Sequence, residues 1–369
     1  SLHLKPKNPD AYRNLGVIYH VLGKFDQALA SYNSALKLNP MYPEAYFGLS
    51  LTMLLTGDYK NGWKKYEYRF EANEGSPYTI PSCGKWNGEN FEQIKQLLIV
   101  SEQGIGDSIQ FMRYIKALRA KGITIRLCAD TKLHSLIKAS GIDPSPLNKQ
   151  EASQITEGQW MPLLSVPRLL EVCPENPIIT EPYIKATDKL IKKWASVLSD
   201  KKQPIVGINW KSNRKDIFKN TRNIPIEHFT KMNNKTKVTL LSLQRDSQSS
   251  ELNEIWSSQN MLMIQDEINR IADSDDPEDL LEYAAIIANC DLVITTDTTV
   301  AHLAAGMGKP TWILLPKAPN WRWGLYGDTS FWYPSVQLFR QKNRGNWDEE
   351  MRQAIGELEN YFERCKQSS

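Results

Sequence analysis

The sequence predicts an α/β protein in which two doubly wound halves follow an all-α repeat segment. Three observations predict this fold class. A helical-hairpin pattern with a period of roughly 34 residues occupies the start of the chain. Short apolar runs alternate with amphipathic stretches from residue 96 onward, and a second series of such runs begins near residue 204. The chain has 369 residues, which is too long for one compact core and predicts two or three domains.

Changes in this pattern give the expected domain boundaries. They are a repeat segment at 1–72, a polar linker rich in Gly, Pro and Ser at 73–95, an N-terminal α/β half at 96–180, a C-terminal α/β half at 204–345 and a helix at 346–369. One expectation for the last helix is that it packs back on the N-terminal half.

The repeat segment places small side chains where two helices would meet closely. Gly16 and Ala28 are these small residues, while Tyr12, Leu15 and Tyr32 would fill the space between the helices. This spacing resembles the tetratricopeptide repeat. LKPKNP before the first copy matches LKLNP at its end, so we expect the chain to begin inside a longer array. Such a unit either binds a peptide or caps the next domain, and the small number of repeats favours the cap.

Short apolar runs are the candidates for buried parallel strands. They are QLLIVSE at 96–102, TIRLCAD at 124–130, PIVGINW at 204–210, KVTLLSLQ at 237–244, MLMIQ at 261–265, DLVITTD at 291–297 and PTWILLP at 310–316. Residues 107–120 and 278–290 are predicted helices, whereas the prolines in QWMPLLSVPRLL at 159–170 predict a loop with short structured pieces. Ligands of such sheets bind outside the carboxyl ends of the strands, so a cleft between the halves is the expected site.

Composition and charge argue against several classes of function. The net charge is +3, from 45 basic and 42 acidic side chains, which gives no electrostatic basis for binding nucleic acid or an anionic membrane. No apolar run has the length that a transmembrane helix needs. The 5 cysteines are scattered and never form a CxxC pair, which fits a reducing compartment, and we expect the cytoplasm.

Residues 101–111, SEQGIGDSIQF, join a predicted strand to a predicted helix and contain Gly104, Gly106 and Asp107. A dinucleotide fingerprint would need Gly or Ala where this chain has Ile109, so the stretch is not that fingerprint. Asp107 is either an N-cap that accepts a backbone N–H bond, or a general base that faces the cleft.

Residues 291–310, DLVITTDTTVAHLAAGMGKP, run from a buried strand through a polar turn into a helix. Backbone N–H groups at this helix start, beside the hydroxyls of Thr298 and Thr299, would suit a diphosphate. Asp297 precedes them and His302 lies one turn into the helix. The alternative is that the threonines only cap the helix and His302 packs against the next strand. The order of strand, short polar turn and helix favours the phosphate site.

A basic loop follows the strand at 204–210. Arg222, fixed by the following Ile224-Pro225, is the best placed cation to neutralise a phosphate leaving group. Asn213 and Gln244 are weaker polar candidates, and a solvated run of charges is the alternative for the whole loop. The chain has no HExxH, GxSxG or P-loop motif and no DxD pair in a suitable loop, so neither a metal nor a cofactor is expected.

EQGIGDSIQFMRY, RNIP and TTDTTVAHLAAGMGKP, in this order and spacing, resemble the heptosyltransferase-type glycosyltransferases of family 9. The similarity is greater to bacterial proteins in which tetratricopeptide repeats precede such a domain. LLPKAPNWRWGLYGDTSFWYPSVQLFRQ, with its tryptophans, is similar to the closing segment of that subgroup. The resemblance implies a GT-B fold of two Rossmann-like domains. The N-terminal one would hold the acceptor and the C-terminal one the nucleotide-sugar donor.

The resemblance also implies roles for individual residues. Asp107 would be the base, and Arg222 would contact the donor phosphates. The diphosphate turn would be formed by Asp297, Thr298 and His302. Thr299 stands where the family usually has glycine, and the acidic residue that holds the donor ribose has no counterpart, so donor identity is not carried over.

The sequence therefore predicts an inverting, metal-independent glycosyltransferase. It would move a sugar from a nucleoside-diphosphate sugar to a hydroxyl of a glycan, a lipopolysaccharide-like molecule or a protein. A peptide partner of the repeats is a further expectation. Two alternatives stay open: a catalytically inactive GT-B and tetratricopeptide scaffold, and another GT-B enzyme such as a nucleotide-sugar epimerase.

Overall fold

The computed structural model describes residues 7–90, 93–212, 222–244 and 279–367. Contacts divide the chain into two compact units. The N-terminal unit consists of Ser1–Ala129, Leu147–Ile179 and Ala318–Gly327, and the C-terminal unit of Asp130–Pro146, Thr180–Lys317 and Asp328–Ser369. Two short segments therefore depart from the expected boundaries: Asp130–Pro146 belongs to the C-terminal unit and Ala318–Gly327 to the N-terminal unit. Within the described ranges, no helix combines the length and the apolar character that crossing a membrane requires.

In the described part of the repeat segment the chain forms four helices. They are α1 (Pro9–Val21), α2 (Phe25–Leu38), α3 (Pro43–Thr56) and α4 (Tyr59–Tyr66). A Cβ atom on Gly16 would lie 2.7 Å from the ring of Tyr32, and one on Gly48 would lie 2.6 Å from it. The buried Tyr32 ring can occupy this position only because both residues are glycines. The predicted helical hairpins are present, and small residues allow their close contact.

A buried ion pair joins the last repeat to the sheet that follows. After α4 the chain makes a 3₁₀ turn at Glu67–Arg69. Arg69 Nε donates to Glu102 Oε2 at 2.7 Å and Nη2 donates to Oε1 at 2.8 Å, with both side chains at 0% exposure. Burial alone would lower the pKa of Arg69, but the charge and hydrogen bonds of Glu102 outweigh it and raise that pKa. The last repeat and the sheet therefore share one polar core.

The N-terminal unit contains a four-stranded parallel sheet in the order β1-β4-β2-β3. Its strands are β1 (Gly84–Lys85), β2 (Gln96–Val100), β3 (Thr124–Cys128) and β4 (Gln159–Pro162). The predicted strands at 96–102 and 124–130 are confirmed. The helices of this stretch are α5 (Ile105–Phe111), α6 (Tyr114–Ala120), α7 (His134–Ala139), α8 (Lys149–Ser153) and α9 (Val166–Leu169), with α7 in the C-terminal unit.

One prediction for this half differs from the structure, and the structure gives the detail of another. The segment 73–95 is not only a surface linker, because β1 pairs with β4 and the side chains of Cys83 and Trp86 are buried. The stretch 159–170 does contain the short structured pieces that were predicted there, namely strand β4 and helix α9. Pro162 is the last residue of its strand and Pro167 lies in the first turn of its helix, where the missing N–H costs no hydrogen bond.

The C-terminal unit contains a five-stranded parallel sheet in the order β6-β5-β7-β8-β9 among the described residues. Its strands are β5 (Ile205–Asn209), β6 (Thr239–Ser242), β7 (Leu292–Thr296), β8 (Thr311–Leu315) and β9 (Val336–Arg340). The strand predictions are confirmed except for 261–265, which lies outside the described residues, and β9 was not predicted. Strand β6, which follows β5 in the chain, pairs with one side of β5, and β7 pairs with its other side. The carboxyl ends of β5 and β7 therefore form a topological switch point.

The remaining helices cover this sheet. They are α10 (Asp188–Val197), α11 (Glu227–Lys235), α12 (Asp279–Ala288), α13 (Thr299–Gly306) and α14 (Asp348–Gln367). The expectation that the last helix packs on the N-terminal half is wrong. Met351, Ala354 and Leu358 of α14 are buried in one cluster with Val206 and Trp312 of the C-terminal sheet. The apolar face of α14 is complementary to its own sheet, which explains this packing.

The predicted fold class is confirmed: all-α repeats are followed by two α/β units, each built on a parallel sheet.

Candidate active site

A network of amide and hydroxyl groups occupies the switch point of the C-terminal sheet. Asn209 ends β5, and its Oδ1 accepts hydrogen bonds from Thr298 Oγ1 at 3.1 Å and from Thr295 Oγ1 at 3.3 Å. Its Nδ2 donates to Gln244 Oε1 at 3.1 Å, and that oxygen also accepts the Lys211 N–H at 2.9 Å. Asn209 therefore ties the ends of β5, β6 and β7 together. The sequence predicted Thr298 and Gln244 here but missed Asn209. The signal for Asn209 is that it is a polar residue at the end of an otherwise apolar strand.

Arg222 and Asp297 form a buried ion pair beside this network. Arg222 Nη1 lies 3.0 Å from Asp297 Oδ2, and the two side chains are 9% and 8% exposed. The backbone of Arg222 is fixed because its carbonyl accepts Thr296 Oγ1 at 2.8 Å. Ile224 N–H also donates to the Trp210 carbonyl at 2.9 Å, which holds the chain after Arg222 against β5. The structure thus brings together two residues that the sequence selected from separate motifs.

Helix α13 begins at Thr299, directly after this ion pair. Thr298 is its N-cap residue, but the Thr298 side chain makes no capping hydrogen bond to the helix start and is bonded to Asn209 instead. The first N–H groups of a helix have no partner within the helix and carry a partial positive charge. The anion site at residues 297–302 depends on these N–H groups and stays a prediction.

His302 lies deeper than the predicted role suggests. Its side chain is 4% exposed, and Nδ1 lies 2.9 Å from the hydroxyl of Tyr333. The two rings are 5.9 Å apart. This contact anchors α13 to the segment before β9. Asn213, the remaining donor-site candidate of this unit, lies outside the described residues.

In the N-terminal unit, Asp107 lies in the first turn of α5, with Gly104 as N-cap and Gly106 as the residue before it. Asp107 Oδ2 accepts the Gly104 N–H at 3.0 Å, so Asp107 does act as a cap. A Cβ atom on Gly104 would lie 3.1 Å from this oxygen, so a larger residue there would require a small shift of the carboxylate. The side chain of Asp107 remains 18% exposed.

The other oxygen of Asp107 accepts a hydrogen bond from Arg322, a residue that the sequence did not select. Arg322 Nη2 donates to Asp107 Oδ1, and Nε donates to Gln110 Oε1 at 2.6 Å. Its guanidinium carbon lies 4.4 Å from the ring centroid of Trp321. The sequence has a tryptophan-rich stretch at 321–323, but it contains no pattern that predicts contact with α5.

Tyr66 of α4 is packed beside this group. Burial raises the pKa of the Tyr66 phenol, and the nearby Arg322 and Arg69 cations act in the opposite direction. Its ring centroid lies 5.9 Å from that of Trp321. The last repeat helix therefore contributes directly to the surroundings of Arg322.

Among the residues that the structure describes, no group of three or more His, Cys, Asp or Glu side chains is arranged to hold a metal ion.

Comparison with known proteins assigns two regions of the chain. Residues 9–42 match the tetratricopeptide repeat model, and residues 199–346 match the model for glycosyltransferase family 9 (heptosyltransferase). Protein FlbA of Caulobacter vibrioides is 25% identical over 387 residues, a match that covers 95% of this chain and 61% of FlbA. The chain thus spans about three fifths of the length of that relative.

Two solved structures are similar at low identity. A family 9 glycosyl transferase from Veillonella parvula DSM 2008 is 11% identical, with 70% of this chain and 91% of that chain covered and a TM-score of 0.45. The ADP-heptose lps heptosyltransferase II of E. coli is 14% identical, with 74% and 100% covered and a TM-score of 0.45. The switch-point network, the Arg222–Asp297 pair and the start of α13 all lie within residues 199–346. The chain therefore carries a tetratricopeptide repeat at residues 9–42 and a family 9 glycosyltransferase domain at residues 199–346.

Proposed function

We propose that this protein is an inverting, metal-independent glycosyltransferase that uses a nucleoside-diphosphate sugar. The acceptor would be a hydroxyl of a glycan, a lipopolysaccharide-like molecule or a protein. One observation carries the proposal: a buried arginine and the open start of α13 lie together at the switch point of a sheet inside a family 9 domain. This is where an α/β sheet binds its ligand, and both groups favour an anion.

The donor diphosphate would be bound by Arg222 and by the N–H groups at the start of α13. Asp297 orients Arg222 through the ion pair at 3.0 Å. Thr298 and Gln244 keep the surrounding loop ends in place through Asn209. Negative charge that develops on the leaving diphosphate would be stabilised here without a metal, because the cation and the helix start are already in position.

Asp107 would be the general base. The acceptor O–H proton passes to the Asp107 carboxylate while the oxygen attacks the anomeric carbon of the sugar. The bond from that carbon to the diphosphate oxygen breaks at the same time, and its electron pair leaves with the nucleoside diphosphate. A single displacement of this kind inverts the configuration at the anomeric carbon.

Both oxygens of Asp107 already accept a hydrogen bond, from Gly104 and from Arg322. Each carboxylate oxygen has two lone-pair sites, so one remains on each oxygen for the acceptor hydroxyl. The same occupancy is the observation that favours the second candidate, a scaffold that binds nucleotide without transfer.

A two-stage screen tests the proposal. Thermal unfolding is measured with ADP, UDP, GDP and dTDP. Release of the nucleoside diphosphate is then measured from nucleotide sugars that carry the stabilising nucleotide, with water as the acceptor and with ADP-heptose among the donors. We expect at least one nucleoside diphosphate to raise the unfolding temperature by mass action. We also expect a nucleotide sugar that contains this nucleoside diphosphate to be turned over. Stabilisation without turnover of any sugar would favour the scaffold. No stabilisation by any nucleotide would contradict both candidates.

A further inference from the structure

The side chain of Arg322 makes hydrogen bonds within the N-terminal unit, although the segment 318–327 that carries it lies near the end of the chain. It is 5% exposed. Its Nη1 and backbone N–H both donate to Asn320 Oδ1 at 3.1 Å, which fixes the guanidinium relative to its own turn. The Nε and Nη2 groups reach Gln110 and Asp107 on α5. All three nitrogens of the guanidinium thus donate a hydrogen bond, and together they join one turn to one helix.

An aromatic group supports this arginine, and part of the group comes from the last repeat. The ring of Trp321 lies under the guanidinium, and it is itself 4% exposed. Trp63 of α4 meets Trp321 edge to face, with centroids 5.2 Å apart and an interplanar angle of 88°. The Trp63 indole N–H donates to the Val172 carbonyl at 2.7 Å, so this ring is fixed at both ends.

These contacts form a continuous connection from the repeat to the carboxylate. Trp63 packs on Trp321, Trp321 packs on Arg322, and Arg322 donates to Asp107. A general base contributes only when its oxygen is held at a near-attack position, and a misplacement of about 1 Å is worth on the order of 100-fold in rate. Gly104 N–H fixes one oxygen of Asp107, and Arg322 fixes the other.

We propose that Arg322 is a positioning residue that orients Asp107 toward the acceptor hydroxyl, and that the last repeat helix, α4, is a structural part of the base site. This inference rests on the proposed function. It differs from the peptide-binding and capping interpretations of the repeats, because it gives the repeat an effect on turnover through Trp63.

The test compares R322A, R322K and W63A with the wild type, using the nucleotide sugar that the wild type turns over. We expect R322A to lower kcat on the order of 10- to 100-fold while the Kd for the nucleoside diphosphate stays unchanged. Guanidinium added to R322A should restore part of kcat by occupying the vacated position beside Asp107. R322K should remain impaired, because an ammonium cannot bond Asp107, Gln110 and Asn320 in one plane.

W86A is the matched control for W63A. Trp86 is buried to 4% exposure in the same unit and donates to the Glu89 carbonyl at 2.7 Å, outside the aromatic group. We expect both variants to unfold at lower temperature, but only W63A to lose kcat in its folded state.

The outcomes separate this inference from the proposed function. Wild-type kcat in R322A, or equal kcat losses in W63A and W86A, would overturn the inference while leaving the proposed function standing. A loss in R322A that guanidinium does not restore, accompanied by a lower unfolding temperature, would reduce Arg322 to a structural role. Absence of turnover in the wild type would remove the proposed function and this inference together.

Discussion

Each unit of the molecule has an aspartate just beyond a parallel strand, paired with an arginine from another segment. In the N-terminal unit the pair is Asp107 and Arg322, after β2. In the C-terminal unit it is Asp297 and Arg222, after β7. Both arginines are buried, with side chains 5% and 9% exposed. The two pairs have similar chemistry, so what differs is the structure around them.

At the N-terminal pair, both oxygens of the aspartate accept a hydrogen bond. Asp107 caps its own helix through Gly104, and Arg322 is braced by aromatic rings. At the C-terminal pair, Asp297 orients the arginine, and the Thr298 side chain leaves the helix start uncapped. The first arrangement fixes a carboxylate, which suits a base. The second places a helix start next to a cation, which suits an anionic ligand.

The largest effect on this comparison is expected from D107N. An amide cannot take the acceptor proton, so kcat should fall by about 10²- to 10⁴-fold while the Kd for the nucleoside diphosphate is unchanged. Steady-state turnover and titration calorimetry measure the two quantities. D130N is the matched control, because Asp130 also follows a strand and caps the next turn through Lys132 N–H at 3.0 Å. Near-wild-type turnover of D107N would remove Asp107 as the base.

A third ion pair, Arg69–Glu102, shows what a purely structural pair should do. Both side chains are at 0% exposure, so R69M leaves Glu102 as an uncompensated buried charge. We expect the free energy of unfolding of the N-terminal unit to fall by about 3–5 kcal/mol, with the Kd for nucleoside diphosphate unchanged. Tryptophan fluorescence during urea denaturation measures this.

R364M is the control for R69M, because Arg364 pairs with Glu357 on the exposed face of α14. Its loss should leave unfolding close to wild type, since exposed pairs are screened by solvent. Equal effects of R69M and R364M would show that burial does not set the strength of these pairs.

The sequence predicted both residues of the C-terminal pair but only one residue, Asp107, of the N-terminal pair. Arg222 is predicted from the basic loop after β5, whereas Asp297 and Thr298 follow the end of a predicted strand, so strand periodicity places them at one edge of a sheet. Asp107 is predicted in the same way. Arg322 is not, because it lies 215 positions from Asp107 and its turn has no periodic pattern. Which distant turn docks against a helix is decided by packing of side chains such as Trp321 and Trp63.

The missed strands have a related explanation. Strand β1 has two residues, and such a short edge strand leaves no alternating or continuous apolar pattern. Strand β4 ends at Pro162, a residue that a sequence pattern indicates as a breaker but that a strand end accepts. The pairing of both strands depends on the rest of the fold, which the local sequence pattern does not contain.

The smallest effect is expected at the C-terminal pair, and it tests the central claim that residues at the β5 and β7 ends bind a diphosphate. Calorimetric titration compares the stabilising nucleoside diphosphate and its parent nucleoside, with wild type, R222M and the control K193M. Lys193 belongs to the same unit but pairs with Glu282. A hydrogen bond to a charged group contributes about 1.5–3 kcal/mol, so R222M should weaken diphosphate binding by about 10- to 100-fold. K193M should not weaken it, and the nucleoside should bind R222M and wild type alike. Diphosphate binding by R222M at wild-type affinity, or nucleoside binding as tight as diphosphate binding, would contradict the claim.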